Sequence, residues 1–349
     1  MPLRTVAAGS MFGRMDIEMI LEGAVERGAS DIHIRSGAPP YLRIAGDLHA
    51  LGNVPNTPEQ VEDLAFSLMD DEEKHRFLST HECDFAFTFE GVGRFRVNVY
   101  RQRGLVGMAI RRVLPASQSF EALGLPPAVV QLAEHRRGLI LVTGMSGAGK
   151  TTTTAALINH INMTRRCHIV TVEDPIEVVH EDKMAIVDQR EVGIDTADFH
   201  TALRYAMRQD PDLIFIGEMR DLETVSAAMH AAETGHLVVS TLHTIDAMET
   251  VNRVIDLFPP FQQAQARISL AASLRGIISQ RLLQRADGRG RVPAVEVLVM
   301  NGRIYDMIMN PDQTHLIPSV LEEGEYYGMQ TFDQHLIRLY RDRVCTLEE

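Results

Sequence analysis

The densest chemical signal in this chain is Gly-Met-Ser-Gly-Ala-Gly-Lys-Thr over residues 144–151, which satisfies the spacing G-x-x-x-x-G-K-[ST]. Glycines at that spacing let backbone N–H groups turn inward around a polyphosphate. A lysine then reaches the β- and γ-phosphates, and the hydroxyl after it ligates Mg²⁺. The expected ATP contacts are Gly144, Ser146, Gly147, Ala148, Gly149, Lys150, Thr151 and Thr152, with Thr151 on the metal. The flanks agree, because an apolar strand-like run (139–143) leads in and a helix-compatible run (151–162) leads out, adding a helix N-terminus to the anion site. Of 34 basic side chains, Lys74, Lys150 and Lys183 alone are lysines, so a lysine at this position stands out.

Two other apolar runs end in acids. Residues 168–172 precede Glu173, with Asp174, Pro175, Ile176 and Glu177 following, and residues 213–217 precede Glu218. Either glutamate alone would read as the polar end of a buried strand. Two of them beside one phosphate loop suit nucleotide hydrolysis, which needs one carboxylate to hold the metal's water shell and one to orient the attacking water. Glu218 is expected on Mg²⁺ through water and Glu173 on the attacking water. His243 would emerge at the C-terminal end of the strand 237–241, the edge where open α/β sheets bind ligands, and is a candidate γ-phosphate sensor. His236, at the start of that strand, would lie farther away and could relay the nucleotide state. The helix expected over 221–234, stopped by Gly235, would connect the two regions.

These groups need a scaffold. Short apolar runs at 139–143, 168–172, 213–217 and 237–241 alternate with helical segments, the signature of an α/β domain with a buried, largely parallel sheet. Before it, one helix (16–27), two extended runs, a polar helix pair (58–77) and strands at 84–89, 93–100 and 106–113 predict a smaller α+β domain. The proline-bearing stretch 114–137 reads as a linker with a first helix. After Gln262 the periodicity predicts mainly helix, Ile268, Leu270, Leu274, Ile277 and Ile278 packing within 264–283, with one more strand at 293–299.

Composition bounds the rest. With 349 residues, 45% of them apolar, the chain is long enough for two domains with their own cores. A net charge of −13, spread over both halves, opposes nucleic acid as a partner. Three scattered cysteines supply no disulfide framework, which fits a cytoplasmic setting. The apolar runs are too short to span a bilayer, so no direct membrane insertion is expected.

The boxes GMSGAGKT, VTVEDPIEVVH, DPDLIFIGEMRDLET and AAETGHLVVSTLHT, with SDIHIRSGAPPYLRIAGDL near the start and YYGMQTFDQ near the end, closely resemble the type IV pilus retraction ATPases (the PilT/PilU group) of the secretion-ATPase superfamily. The resemblance covers nearly the whole chain. It implies an α/β fold in which an N-terminal PAS-like α+β domain is followed by a RecA-like P-loop NTPase domain. The corresponding divisions are a flexible N-terminus (1–15), the PAS-like domain (16–113), the linker and first helix (114–137), the ATPase domain (138–300) and a C-terminal helical segment (301–349).

The resemblance also implies a homo-hexameric ring, catalysis by Glu173, and action on an inner-membrane pilus platform protein, in some systems beside a paralogous motor subunit. Ring motors of this class complete the site with arginines from a neighbour. Arg94, Arg96, Arg111 and Arg112 are the candidates, although a solvated strand face would look the same. The four-cysteine module and extra N-terminal domain of the extension and secretion branch are missing, which favours retraction. An accessory motor, a related type II or type IV secretion ATPase and a nucleic-acid translocase are the alternatives.

Overall fold

The computed structural model describes residues 17–44, 46–115, 119–288 and 290–349. The flexible N-terminus expected at 1–15 lies outside the described residues. The chain divides into two compact units, 1–114 and 115–349.

In the first unit, α1 (Ile17–Glu26) buries Ile20, Leu21 and Ala24, and Gly28 follows it at φ +66°. Next come β1 (Asp31–Arg35), β2 (Tyr41–Ile44), β3 (Asp47–Ala50), α2 (Pro58–Leu68), α3 (Asp71–Thr80), β4 (Glu82–Phe89), β5 (Gly93–Gln102) and β6 (Leu105–Pro115). The helix pair is punctuated by two capping boxes, Thr57 with Gln60 and Asp70 with Glu73. The strands form an antiparallel sheet in the order β3-β2-β1-β6-β5-β4. Strict alternation sends Phe85, Phe87, Phe95, Val97 and Val99 into the core with Phe77 of α3. The Phe87 and Phe95 rings stack at 5.7 Å.

The second unit holds the chemistry. Its helices and strands run α4 (Pro127–Ala133), β7 (Gly138–Thr143), α5 (Lys150–Thr164), β8 (His168–Glu173), the short β9 (Val178–Val179), β10 (Ile186–Glu191), α6 (Phe199–Ala206), β11 (Leu213–Ile216), α7 (Leu222–Glu233), β12 (Leu237–Leu242), α8 (Ala247–Asp256), α9 (Gln263–Ser273), β13 (Leu274–Gln284) and β14 (Arg291–Val299). Then α10 (Gly302–Met309), α11 (Ile317–Glu322) and α12 (Phe332–Arg341) complete it. The sheet order is β10-β8-β11-β12-β7-β13-β14, parallel throughout except for β14. Successive residues serve opposite cores: Leu139 and Leu141 pack with α7, α8 and α9, whereas Ile140 and Val142 pack with α4 and α5. That two-sided burial is why the strands read as unbroken apolar runs.

The helix expected across 264–283 is a correction. α9 stops at Ser273, and β13 inserts between β7 and β14. Ile277 and Ile278 face opposite cores, which a strand permits and a helical stripe does not. Gly276 marks the switch, because a Cβ there would sit 2.5 Å from Leu132 and 2.8 Å from the Leu298 carbonyl. β10 was absent from the sequence reading, since four of its residues, Asp188 to Glu191, are polar and leave no apolar run. No helix among the described residues is long and apolar enough to cross a membrane.

Candidate active site

Residues 144–149 carry the chain from β7 into α5. Gly144 adopts φ +147°, and a Cβ there would lie 2.5 Å from the Gln280 carbonyl oxygen, so no side chain fits against β13. Gly149, at φ +88°, turns the chain directly into Lys150. Gln280 also supports the loop from below, its Nε2 donating to the Ala148 carbonyl at 3.0 Å. Lys150 folds over the loop and donates from Nζ to the carbonyls of Gly144 (2.7 Å) and Met145 (3.2 Å). Burial holds its proton affinity below the usual lysine range, while the Glu218 and Glu177 carboxylates pull the other way.

β8 and β11 are parallel neighbours, with Val172 opposite Ile216, so Glu173 and Glu218 leave the sheet at one edge. Glu173 is buried and already occupied: Thr171 Oγ1 donates to its Oε1 at 2.7 Å and Gln189 Nε2 to the same oxygen at 3.1 Å. Burial pushes this carboxyl up to about 7, against those donors and the Glu177 backbone N–H. Glu177, four residues on, is the carboxylate that reaches the phosphate-loop helix, accepting from Thr151 Oγ1 at 2.5 Å. Glu218 pairs with Arg220 at 2.5 Å and lies 3.8 Å from His243 Nε2. Burial, then the Lys150 charge, keeps His243 below the ordinary histidine range, with Glu218 opposing them.

One cleft of about 490 Å³ gathers residues 146–152, Glu173, Glu177, Glu218, Arg220 and His243. His236 does not line it. Its Nδ1 lies 3.0 Å from the Ala231 carbonyl at the end of α7, whose N-cap is Asp221. Among the described residues no group of three or more His, Cys, Asp or Glu side chains is arranged to hold a metal by itself. The oxygen donors at Thr151 and the two carboxylates nevertheless fit Mg²⁺, which keeps several waters and shares a nucleotide's phosphates instead of occupying a protein cage.

Residues 8–306 match the family described as Type II/IV secretion system protein. The chain belongs to that family. Among its relatives, the type IV pilus retraction ATPase PilT of Pseudomonas aeruginosa is 43% identical over 322 residues, covering 92% of this chain and 93% of PilT. The type IV pilus ATPase PilU of the same organism is 39% identical over 335 residues, covering 96% of this chain and 87% of PilU. A solved structure of the pilus retraction motor PilT with bound ADP has a TM-score of 0.89 at 48% identity over 96% of each chain.

Not all residues singled out in this secretion-family chain meet in the cleft. Arg94, Arg96 and Arg111 belong to the first unit. Arg96 and Arg111 are cross-strand partners on the face that also carries Arg94, and Arg111 Nε donates to Asp31 Oδ1 at 2.7 Å. Arg112 is in register with the buried Phe95 and therefore projects to the other face, so it does not join them. Glu177, Arg220, Gln189 and Gln280 had no role in the sequence reading. Glu177 and Arg220 were visible inside the quoted boxes, whereas the two glutamines carry no sequence signal of their own.

Proposed function

We propose that this chain is the ATP-hydrolysing motor subunit of a type IV pilus retraction machine. Supporting that reading is one observation above all: Lys150, Thr151, Glu173, Glu177, Glu218 and His243 converge on one cleft in a chain aligned almost end to end with retraction ATPases. In this reading the first unit is a PAS-like domain and the second a RecA-like domain. The subunits form a homo-hexamer in the cytoplasm and act on an inner-membrane platform protein. Loop N–H groups and Lys150 bind the ATP phosphates, and Lys150 must leave the Gly144 and Met145 carbonyls to do so.

Thr151 and, through water, Glu218 would hold Mg²⁺, which would supply neutralisation of phosphate charge. Glu177 and Glu173 orient the attacking water as a pair. Glu177 stands nearer the metal end, and Glu173, whose carboxylate is already hydrogen-bonded, holds the turn behind it. His243, beside Glu218, registers loss of the γ-phosphate, and α7 carries the change toward His236. Arg94, Arg96 and Arg111 are proposed to reach the cleft of a neighbouring subunit.

The purified chain should hydrolyse ATP with Mg²⁺, and Lys150→Ala should not; turnover no greater than that of Lys150→Ala would overturn the assignment. Identity to PilU supports a second reading, an accessory motor. It would show as retraction restored in a motor-deleted strain only when a companion ATPase is present.

A further inference from the structure

β10 is an edge strand whose inward residues grip the chain that carries Glu177. Gln189 makes three hydrogen bonds: Nε2 donates to Glu173 Oε1 at 3.1 Å and to the Val178 carbonyl at 2.9 Å, and Oε1 accepts from the His180 backbone N–H at 2.8 Å. Two residues along and therefore on the same side, Glu191 Oε2 accepts from the Ile176 N–H at 3.3 Å. The segment 173–180 thus has its two ends and its middle fastened to one strand face. Its remaining functional side chain, Glu177, is left to project toward Thr151. Between Glu173 and His180 strand pairing is confined to the short β9 (Val178–Val179), and the Gln189 and Glu191 side chains fasten the stretch on either side of it.

We propose that Gln189 is a positioning residue for ATP hydrolysis, a three-point clamp that fixes the turn 173–180 so that Glu177 faces the phosphate-loop hydroxyl. Gln189 touches neither the loop nor Thr151. It acts through Glu173 and the Val178–His180 backbone. A glutamine suits the task because one planar amide donates twice and accepts once, which neither a carboxylate nor an apolar side chain can do.

The clamp makes a distinction that general stabilisation does not. ATP affinity depends on the loop and Lys150, which the clamp does not contact, whereas turnover depends on where Glu177 points. Replacing Gln189 should therefore lower kcat and spare KM, since misplacement of a positioning group costs about tenfold or more in rate.

The inference rests on the proposed ATPase reading, and its test separates the two. In the full-length chain, Gln189→Met, nearly isosteric and without hydrogen bonds, should reduce kcat about tenfold with KM for ATP unchanged within about twofold. Gln189→Glu, which keeps only the acceptor, should do the same, and serves if the methionine variant fails to fold. Hydrogen–deuterium exchange, which needs no turnover, should speed up in the peptide covering 174–180 and stay unchanged in the peptide covering 144–151. An unchanged kcat in an active enzyme, a parallel loss of kcat and ATP affinity, or unaltered exchange at 174–180 would each overturn the clamp. Inactivity of the parent chain with faster exchange at 174–180 in the variant would overturn the ATPase reading and leave the clamp standing.

Discussion

Thr151 hands its hydroxyl hydrogen to Glu177, while Glu173, the glutamate that closes β8, is filled by donors from Thr171 and Gln189. The two acids are therefore not equivalent, and amidating each should separate them. Glu177→Gln should bind ATP normally and lose turnover by about a hundredfold. Glu173→Gln should bind normally with a smaller loss, since an amide oxygen can still accept from Thr171. Single-turnover kinetics with a fluorescent nucleotide would rank them, and the reverse order would give Glu173 the larger share in orienting the water. The phosphate loop was legible because its chemistry is contiguous: six backbone positions and one lysine follow one another in the chain, although Gln280 of β13 supports them from below. Ranking two carboxylates four residues apart was not, because it depends on the Gln189 side chain arriving from β10, 16 residues from Glu173 along the chain but on the neighbouring strand of the sheet. Alternation along β5 puts Arg94 and Arg96 on one face, and the same rule sends Arg112 away from Arg111.

At the level of elements, the four central strands were readable since burial on both faces leaves runs of Val, Ile and Leu. β13 was not, because Leu270, Leu274, Ile277 and Ile278 fit a helical stripe as well as a buried strand, and periodicity cannot choose between them over so short a span. Gly276 carries the deciding constraint. Gly276→Ala would press a methyl against Leu132, which can yield, and the Leu298 carbonyl, which is held in the β13–β14 pair and cannot. The expected cost is about 1–3 kcal/mol, read as a lower melting midpoint for the second unit. A midpoint equal to the parent's would mean that the β13–β14 pair gives way at the Leu298 carbonyl. β10 escaped notice for the opposite reason, having too little apolar character, yet it supports the segment between Glu173 and His180.

For the molecule as a whole, buried titrating groups set opposing pH dependences. Burial raises the Glu296 carboxyl to about 7, while the Ala247 N–H at the start of α8 favours the charged form. The folded state then binds more protons than the unfolded between about 4.5 and 7, so this group costs stability as pH rises through that window. His335 runs the other way. Burial holds it at about 4, neutral, with Nδ1 accepting from the Val295 N–H, and its contribution is lost as pH falls from 6.5 toward 4. The two slopes partly cancel in the parent. Glu296→Gln removes one and can still accept from Ala247. Calorimetry should find that variant melting higher than the parent at pH 8, with the gap closing near pH 5; an equal gap at both would mean that burial does not penalise the carboxylate.

The three lysines differ in how their amines are held. Lys150 Nζ rests on two loop carbonyls, Lys183 Nζ donates to Asn159 Oδ1 at 2.7 Å, and Lys74 stands on α3 near Asp71 at 3.8 Å. An amine-selective acylating reagent therefore has three side-chain targets in each chain, and mass spectrometry can score each one separately. Lys74 and Lys183 become internal standards for reagent dose, and the adduct at Lys150 reports whether the phosphate loop is filled. Read across a population of chains, the fraction carrying that single adduct would count occupied sites directly, a measurement that a lysine-rich ATPase would bury in background.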